Sequence, residues 1–160
     1  MRKSIVSPSA PTKLSADDLW RDIERIARVE ITSEDEAFPI EHALGKTPST
    51  GWRAATKGPQ VIKLFFDEPQ AIRRIHVHFV DTAAERSQEF AIYAGPSESE
   101  LREIVRQQWN FSPNGNTEEV EDFTVALQEI TALELRIDPD RSHDPTQSQH
   151  FATLQTLKLA

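Results

Sequence analysis

Apolar and polar residues alternate through most of this chain. In residues 61–66 and 75–79 every second side chain is apolar, which is the period of a strand that buries one face. A β-branched stretch at residues 29–32 and a short segment at 51–54 precede them. The same alternation returns later, in residues 90–93, 105–111, 123–127, 133–137 and 157–159. The pattern predicts about eight strands.

Turn-forming residues separate these segments. Pro, Gly, Asn and Asp cluster at residues 67–69, 95–97, 112–116 and 138–140, where they favour reversals of the chain. Strands at this spacing, without helical periodicity between them, are typical of antiparallel sandwiches and not of parallel α/β sheets. We therefore expect an all-β fold, an antiparallel jelly-roll β-sandwich with one N-terminal helix.

The helical pattern lies near the N-terminus. An apolar stripe that includes Trp20 and Ile23 predicts a helix over residues 16–28, with Ser15 as its N-cap. Trp20 is expected to pack against the sheet. Residues 1–13 are rich in Ser and Pro and are expected to form a disordered arm. Residues 14–160 then form a single domain, with helix 16–28 followed by sandwich 29–160, in which 39–44 form a short helical turn.

Composition excludes several function classes. The 160 residues include no cysteine, so a thiol nucleophile, a cysteine zinc site and disulfides are excluded. With 18 Lys and Arg against 26 Asp and Glu, the net charge of −8 disfavours nucleic acid and anionic membranes as partners. No apolar run approaches the roughly 20 residues of a transmembrane helix. No apolar signal segment follows the N-terminus, so a cytoplasmic location is expected.

Motifs for chemistry are absent from the sequence. It has no Gly-x-Ser-x-Gly turn and no glycine-rich phosphate loop, and its paired carboxylates are those expected on the solvated faces of an acidic protein. We expect no catalytic residues, no cofactor and no enzyme activity.

Several segments resemble the discoidin superfamily, also called the coagulation-factor type C or galactose-binding-domain-like superfamily. The resemblance covers roughly residues 29–160 and is carried by residues 48–53, 58–66, 69–77, 90–93, 135–139 and 152–159. It implies a jelly roll whose chain ends meet at one pole. The ligand loops, residues 34–50 and 138–150, would lie at the other pole.

The nearest functional branch is the family 32 carbohydrate-binding modules. Carried onto this chain, their sugar ligands imply an acid among Glu34, Asp35 and Glu36, a donor at Arg53 and a second donor at Arg86. Their stacking aromatic falls near residues 56–57, where this chain has none, so a neighbouring ring must replace it. The rim candidates are Phe38 and His143, and His150 follows in the same loop.

The same residues allow other interpretations. Arg53 and Arg86 could pair with neighbouring acids, Trp52 is expected to be a structural plug between the sheets, and His76 and His78 to be packed or solvated. Relatives with a calcium loop carry an acid where this chain has Lys46, so we expect no metal. A protein–protein interaction module on the same fold, inside the cell, remains the alternative to a carbohydrate-binding module.

Overall fold

The computed structural model describes residues 20–45, 50–142 and 150–160. Within them lie eight strands and two one-turn helices. The strands are β1 (Ala27–Ile31), β2 (Trp52–Lys57), β3 (Gln60–Val80), β4 (Arg86–Gly95), β5 (Arg102–Phe111), β6 (Glu118–Asp138), β7 (Phe151–Leu154) and β8 (Thr156–Leu159). The helices are α1 (Ile23–Ile26) and α2 (Glu41–Leu44).

Two long strands, β3 and β6, connect the layers of the sandwich. Residues 62–66 of β3 pair with β1, and residues 60–65 pair with the end of β6, in a sheet of order β1-β3-β6-β4-β5. Residues 75–78 pair instead with β8 and with the start of β6. Strands β2 and β7 form a further pair, and all the pairings are antiparallel. The architecture is the predicted antiparallel jelly-roll sandwich.

The bend in β3 falls where the sequence predicts a turn. The ladder to β6 breaks between Phe65 and Gln70 and shifts register again before Arg74. Opposite this break, Glu129 of β6 has a positive φ of 56°. Residues 67–69 therefore deflect a continuing strand from one layer to the other, because both strands bend together and keep their partners.

The predicted alternation matches the buried face. Alternate side chains of β3 from Ile62 to Phe66, and again from Ile75 to Phe79, lie in one core between the layers. Phe90 and Ile92 of β4 and Leu133 and Leu135 of β6 are buried in the same core. A single apolar core thus supports both sheets.

Of the described residues in the predicted helix, 20–28, only Ile23–Ile26 are helical, as helix α1. Ala27 and Arg28, assigned to the helix by the sequence, begin β1. The reason is pairing, because Ala27 lies opposite Phe66 and the ladder to β3 replaces the next helical turn. Ser15 and residues 1–19 as a whole lie outside the described residues.

Trp20 packs on the outer face of the second layer. Its ring lies under the guanidinium of Arg74, 4.5 Å from the ring centroid, and only 9% of the residue is exposed. The next residue donates a backbone hydrogen bond from Arg21 N to Leu159 O, at 2.8 Å. The described ends of the chain therefore meet, as the resemblance implies.

Trp52 begins β2 and is almost completely buried, with 1% exposed. Its indole Nε1 donates to the carbonyl of Ser33 at 3.2 Å. Gly51, directly before it, has φ +79°, and a Cβ there would lie 2.7 Å from the carbonyl oxygen of Leu154. The Gly-Trp pair thus fixes how β2 enters the sandwich. The predicted helical turn is also present, as α2 followed by Gly45.

We expect Trp52→Ala to lower the free energy of unfolding by about 3–5 kcal/mol, because it opens a cavity in the core. Trp52→Phe keeps most of the ring and loses the hydrogen bond to Ser33, so about 1–2 kcal/mol is expected. Urea unfolding followed by circular dichroism measures both. An alanine variant within 1 kcal/mol of the wild type would show that Trp52 does not plug the core.

Candidate ligand-binding cleft

A cleft of about 560 Å³ opens at one pole of the sandwich. Val80, at the end of β3, lines it, whereas Leu159 pairs with Ile75, further back along the same strand. The cleft therefore lies at the pole away from the paired chain ends. Four segments form its walls: Phe38, Thr50 to Arg53, Val80 to Ala84, and His150 to Gln155.

The loop after β1 is fastened to β2 by its backbone. Asp35 N donates to the carbonyl of Arg53 at 2.9 Å, and Arg53 N donates to the carbonyl of Phe38 at 3.1 Å. These bonds place Phe38 and Arg53 side by side on the cleft wall. The sequence proposed both as ligand contacts, and the structure brings them together.

The acids of this loop are placed differently. Glu34 Oε1 accepts a hydrogen bond from Ile40 N at 2.6 Å, at the start of α2. Asp35 Oδ1 accepts from Ala37 N at 3.0 Å, which closes a tight turn. Glu36 is exposed, and none of the three acids lines the cleft. The carboxylates of Glu34 and Asp35 therefore shape the loop rather than face a ligand.

Arg53 lies exposed on the cleft wall. Its guanidinium carbon is 4.8 Å from the centroid of the Phe151 ring, a distance at which a cation and an aromatic face attract each other. Among the described residues Arg53 forms no ion pair, so the alternative of a salt bridge to Glu34 or Asp35 is not observed there.

Phe151 is a cleft residue that the sequence interpretation missed. It begins β7, lines the cleft, and carries Arg53 on its ring. The signal was available, because Phe151 directly follows the loop 138–150 that the resemblance places at this pole. The resemblance places an aromatic near residues 56–57 of β2, and in this chain Phe151 lies opposite Lys57, on the neighbouring strand β7.

Arg86 does not line the cleft, and its predicted role as a ligand donor needs correction. Its side chain is only 1% exposed, and Nε donates to Asp81 Oδ2 at 2.6 Å. Nη1 donates to Gln88 Oε1 at 2.9 Å and to the Pro139 carbonyl at 2.8 Å. The guanidinium also lies over the Phe111 ring, at 4.5 Å. The buried side chain of Arg86 thus joins the loop that contains Asp81 to the loop that contains Pro139.

Asp81 is the cleft-lining partner of Arg86. Partial burial favours the neutral acid, but hydrogen bonds from Arg86, Ala83 N and Ala84 N outweigh it and hold the pKa of the Asp81 carboxyl below its ordinary value. Asp81 is therefore an anion whose charge is compensated by the guanidinium behind it.

A second acid, Glu119, lies fully buried in the same region. Its Oε1 is 3.4 Å from Gln88 Nε2, and Oε2 has no hydrogen-bond partner among the described residues. Burial raises the pKa of Glu119 to about 7, the charge of Glu121 adds to the effect, and Gln88 and Arg86 oppose it. Arg86, Gln88 and Glu119 form a buried polar cluster.

The histidines fall in different places. His150 lines the cleft, with Nε2 4.0 Å from Asp140 Oδ2, whereas His143 lies outside the described residues. His76 and His78 lie on β3. His76 Nδ1 is 3.4 Å from Asp122 Oδ2, and His78 Nε2 is 3.7 Å from Glu118 Oε1.

No metal-binding group is found in the described part of the chain. There, no three side chains of the His, Asp and Glu types come together as an ion would require. Lys46, on which the expectation of no calcium depends, lies outside the described residues.

We expect Glu119 to make stability depend on pH. Its folded pKa lies above the ordinary 4.5, so the unfolded carboxyl ionises first and stability falls as pH rises from about 4.5 to about 7, then levels off. Between pH 5 and 8 the wild type should lose about 2–3 kcal/mol of unfolding free energy relative to Glu119→Gln.

Urea unfolding at several pH values measures this difference. Glu85→Gln, at an exposed glutamate, serves as the control and should follow the wild-type curve. Parallel curves for the wild type and Glu119→Gln would contradict the raised pKa.

Comparison by sequence finds no relative: no protein-family model matches the chain, and no curated protein matches it. Among the described residues, no helix has the length and apolar character to cross a membrane.

Comparison by structure finds carbohydrate-binding modules. A family 32 module of the Clostridium perfringens protein NanJ, solved in complex with galactose, matches with a TM-score of 0.60 at 14% identity, over 86% of this chain and 96% of that one. The module CBM32-3 of a family 31 glycoside hydrolase from the same organism matches with a TM-score of 0.64 at 14% identity, over 88% of this chain and 93% of that one.

A further match is the family 32 module of AlyQ, solved with 4,5-unsaturated mannuronic acid. Its TM-score is 0.61 at 15% identity, over 84% of this chain and 95% of that one. At such identities the likeness concerns the fold. The chain thus has the galactose-binding-domain-like fold, the one predicted from its sequence and shared by the family 32 modules.

Proposed function

We propose that this protein is a non-catalytic recognition module that binds a carbohydrate in the polar cleft. The observation that carries the proposal is the cleft itself, at the loop pole of a fold that sugar-binding modules share. Loops at the end of a sandwich are where such folds place their ligands, because the sheets hold them in position.

The walls of the cleft have the groups that a sugar needs. Arg53 and Thr50 supply donors for hydroxyl groups, Asp81 supplies an ionised acceptor, and Phe38 adds an apolar ring. The carboxylate of Asp81 and the backbone of Arg53 are both held by hydrogen bonds that do not involve a ligand. Such preorganisation reduces the entropy lost on binding.

Affinity is expected to be weak. A small polar ligand in an open cleft releases little apolar surface, so binding depends on a few hydrogen bonds. The absence of catalytic activity and the cytoplasmic location, expected from the sequence, remain predictions.

Titration of ¹⁵N-labelled protein with a panel of neutral and acidic monosaccharides tests the proposal. We expect shifts confined to amides around Arg53, Asp81 and Phe151. Arg53→Ala should weaken the binding of any responding sugar at least tenfold, because it removes the one exposed guanidinium on the described wall.

Arg102→Ala is the matched control. Arg102 is an exposed arginine at the start of β5, opposite Ala94, whereas Phe111 ends that strand. Its removal should therefore leave binding unchanged. Failure of every sugar to shift cleft amides would contradict the proposal and favour a protein partner.

A further inference from the structure

We propose that the sugar recognised here carries a carboxylate, as a uronic acid does, and that the guanidinium of Arg53 binds it. This inference rests on the proposed carbohydrate function and specifies its ligand class. It follows from how the charges on the cleft wall are partnered.

The carboxylate that lines the cleft already has partners within the protein. Asp81 is the one carboxylate among the described residues that line the cleft, and it accepts hydrogen bonds from Arg86, Ala83 N and Ala84 N. Glu34 and Asp35, in the adjoining loop, point to the backbone. The carboxylates of Asp81, Glu34 and Asp35 are thus engaged within the protein.

The positive charge of Arg53, in contrast, has no carboxylate partner among the described residues. Arg53 lines the cleft, is exposed, and forms no ion pair with any described residue, in a protein whose net charge is −8. With 26 acidic residues in the sequence, a cleft-lining arginine that has no acidic partner in the described part of the chain favours an external anion. A carboxylate on the ligand supplies it.

The position of Arg53 suits a carboxylate more than a hydroxyl group. Its guanidinium carbon lies over the Phe151 ring, 4.8 Å from the ring centroid. The N–H groups lie at the edge of the planar guanidinium, where two of them match the two oxygens of a carboxylate. The backbone of Arg53 is also fixed, through Asp35, Phe38 and its pairing with Thr153.

The same contact disfavours recognition of a neutral sugar by stacking. A pyranose stacks through its apolar face on a bare aromatic ring, and the Arg53 guanidinium occupies a face of Phe151. Charge therefore replaces stacking as the main attraction at Phe151, and Phe38 lies beside Arg53 on the same wall.

The test uses pairs of ligands that differ only in charge. Methyl glycosides of galacturonic, glucuronic and mannuronic acid are each compared with their neutral methyl esters, by NMR titration at pH 7. We expect at least one acid to bind tenfold or more tightly than its ester. In Arg53→Gln the ratio should fall to between one and two, while Arg53→Lys keeps the charge and should retain part of it.

Controls separate this inference from the function on which it rests. Arg102→Gln should keep the wild-type ratio, and unfolding curves confirm that each variant is folded. Esters or galactose binding at cleft amides as tightly as the acids would overturn the carboxylate inference and leave the carbohydrate function standing. A preference for acids that survives in Arg53→Gln would overturn the role of Arg53. No binding of any sugar would overturn both.

Discussion

The structure depends on the antiparallel pairing of β3 with β6. Each strand is 21 residues long and passes from one layer to the other, so a single ladder supplies part of both sheets. Burying one face of such strands on both sides of the bend creates one continuous core, since the apolar residues of both halves point inward. The bend also determines where the cleft is, because the end of β3 beyond it leads directly into the cleft wall at Val80 and Asp81.

Beneath the cleft, buried polar side chains fix the position of two loops that the apolar core does not hold. Arg86 joins the loop containing Asp81 to the loop containing Pro139, and both are connections that the sheets alone would leave loosely placed. A buried guanidinium without partners would cost several kcal/mol, so its hydrogen bonds are obligatory and their geometry is imposed on both loops. Glu119 is buried in the same interior, and one of its carboxylate oxygens has no partner among the described residues.

The sequence predicted the architecture because period-2 alternation reports which face of a strand is buried, and burial decides the sheet. It overestimated the N-terminal helix, since the stripe through Ala27 suits a helix and a strand alike and only the pairing with Phe66 decides. In the cleft, local position sufficed to place Arg53 and Phe38 together, because they adjoin the turn and the loop of the resemblance, while their role as ligand contacts stays a prediction. It failed for Arg86 and Phe151, because whether a side chain points inward, or which distant strand meets β2, depends on tertiary contacts.

The hydrogen bond between Arg21 and Leu159 holds the described ends of the chain together, at the far pole from the cleft. A surface or another domain attached beyond Ala160 would therefore lie on the side of the sandwich opposite Arg53. Anchored in that way, the molecule would present its open loops outward, and the length of the tether would set how far the cleft can reach without altering the cleft itself.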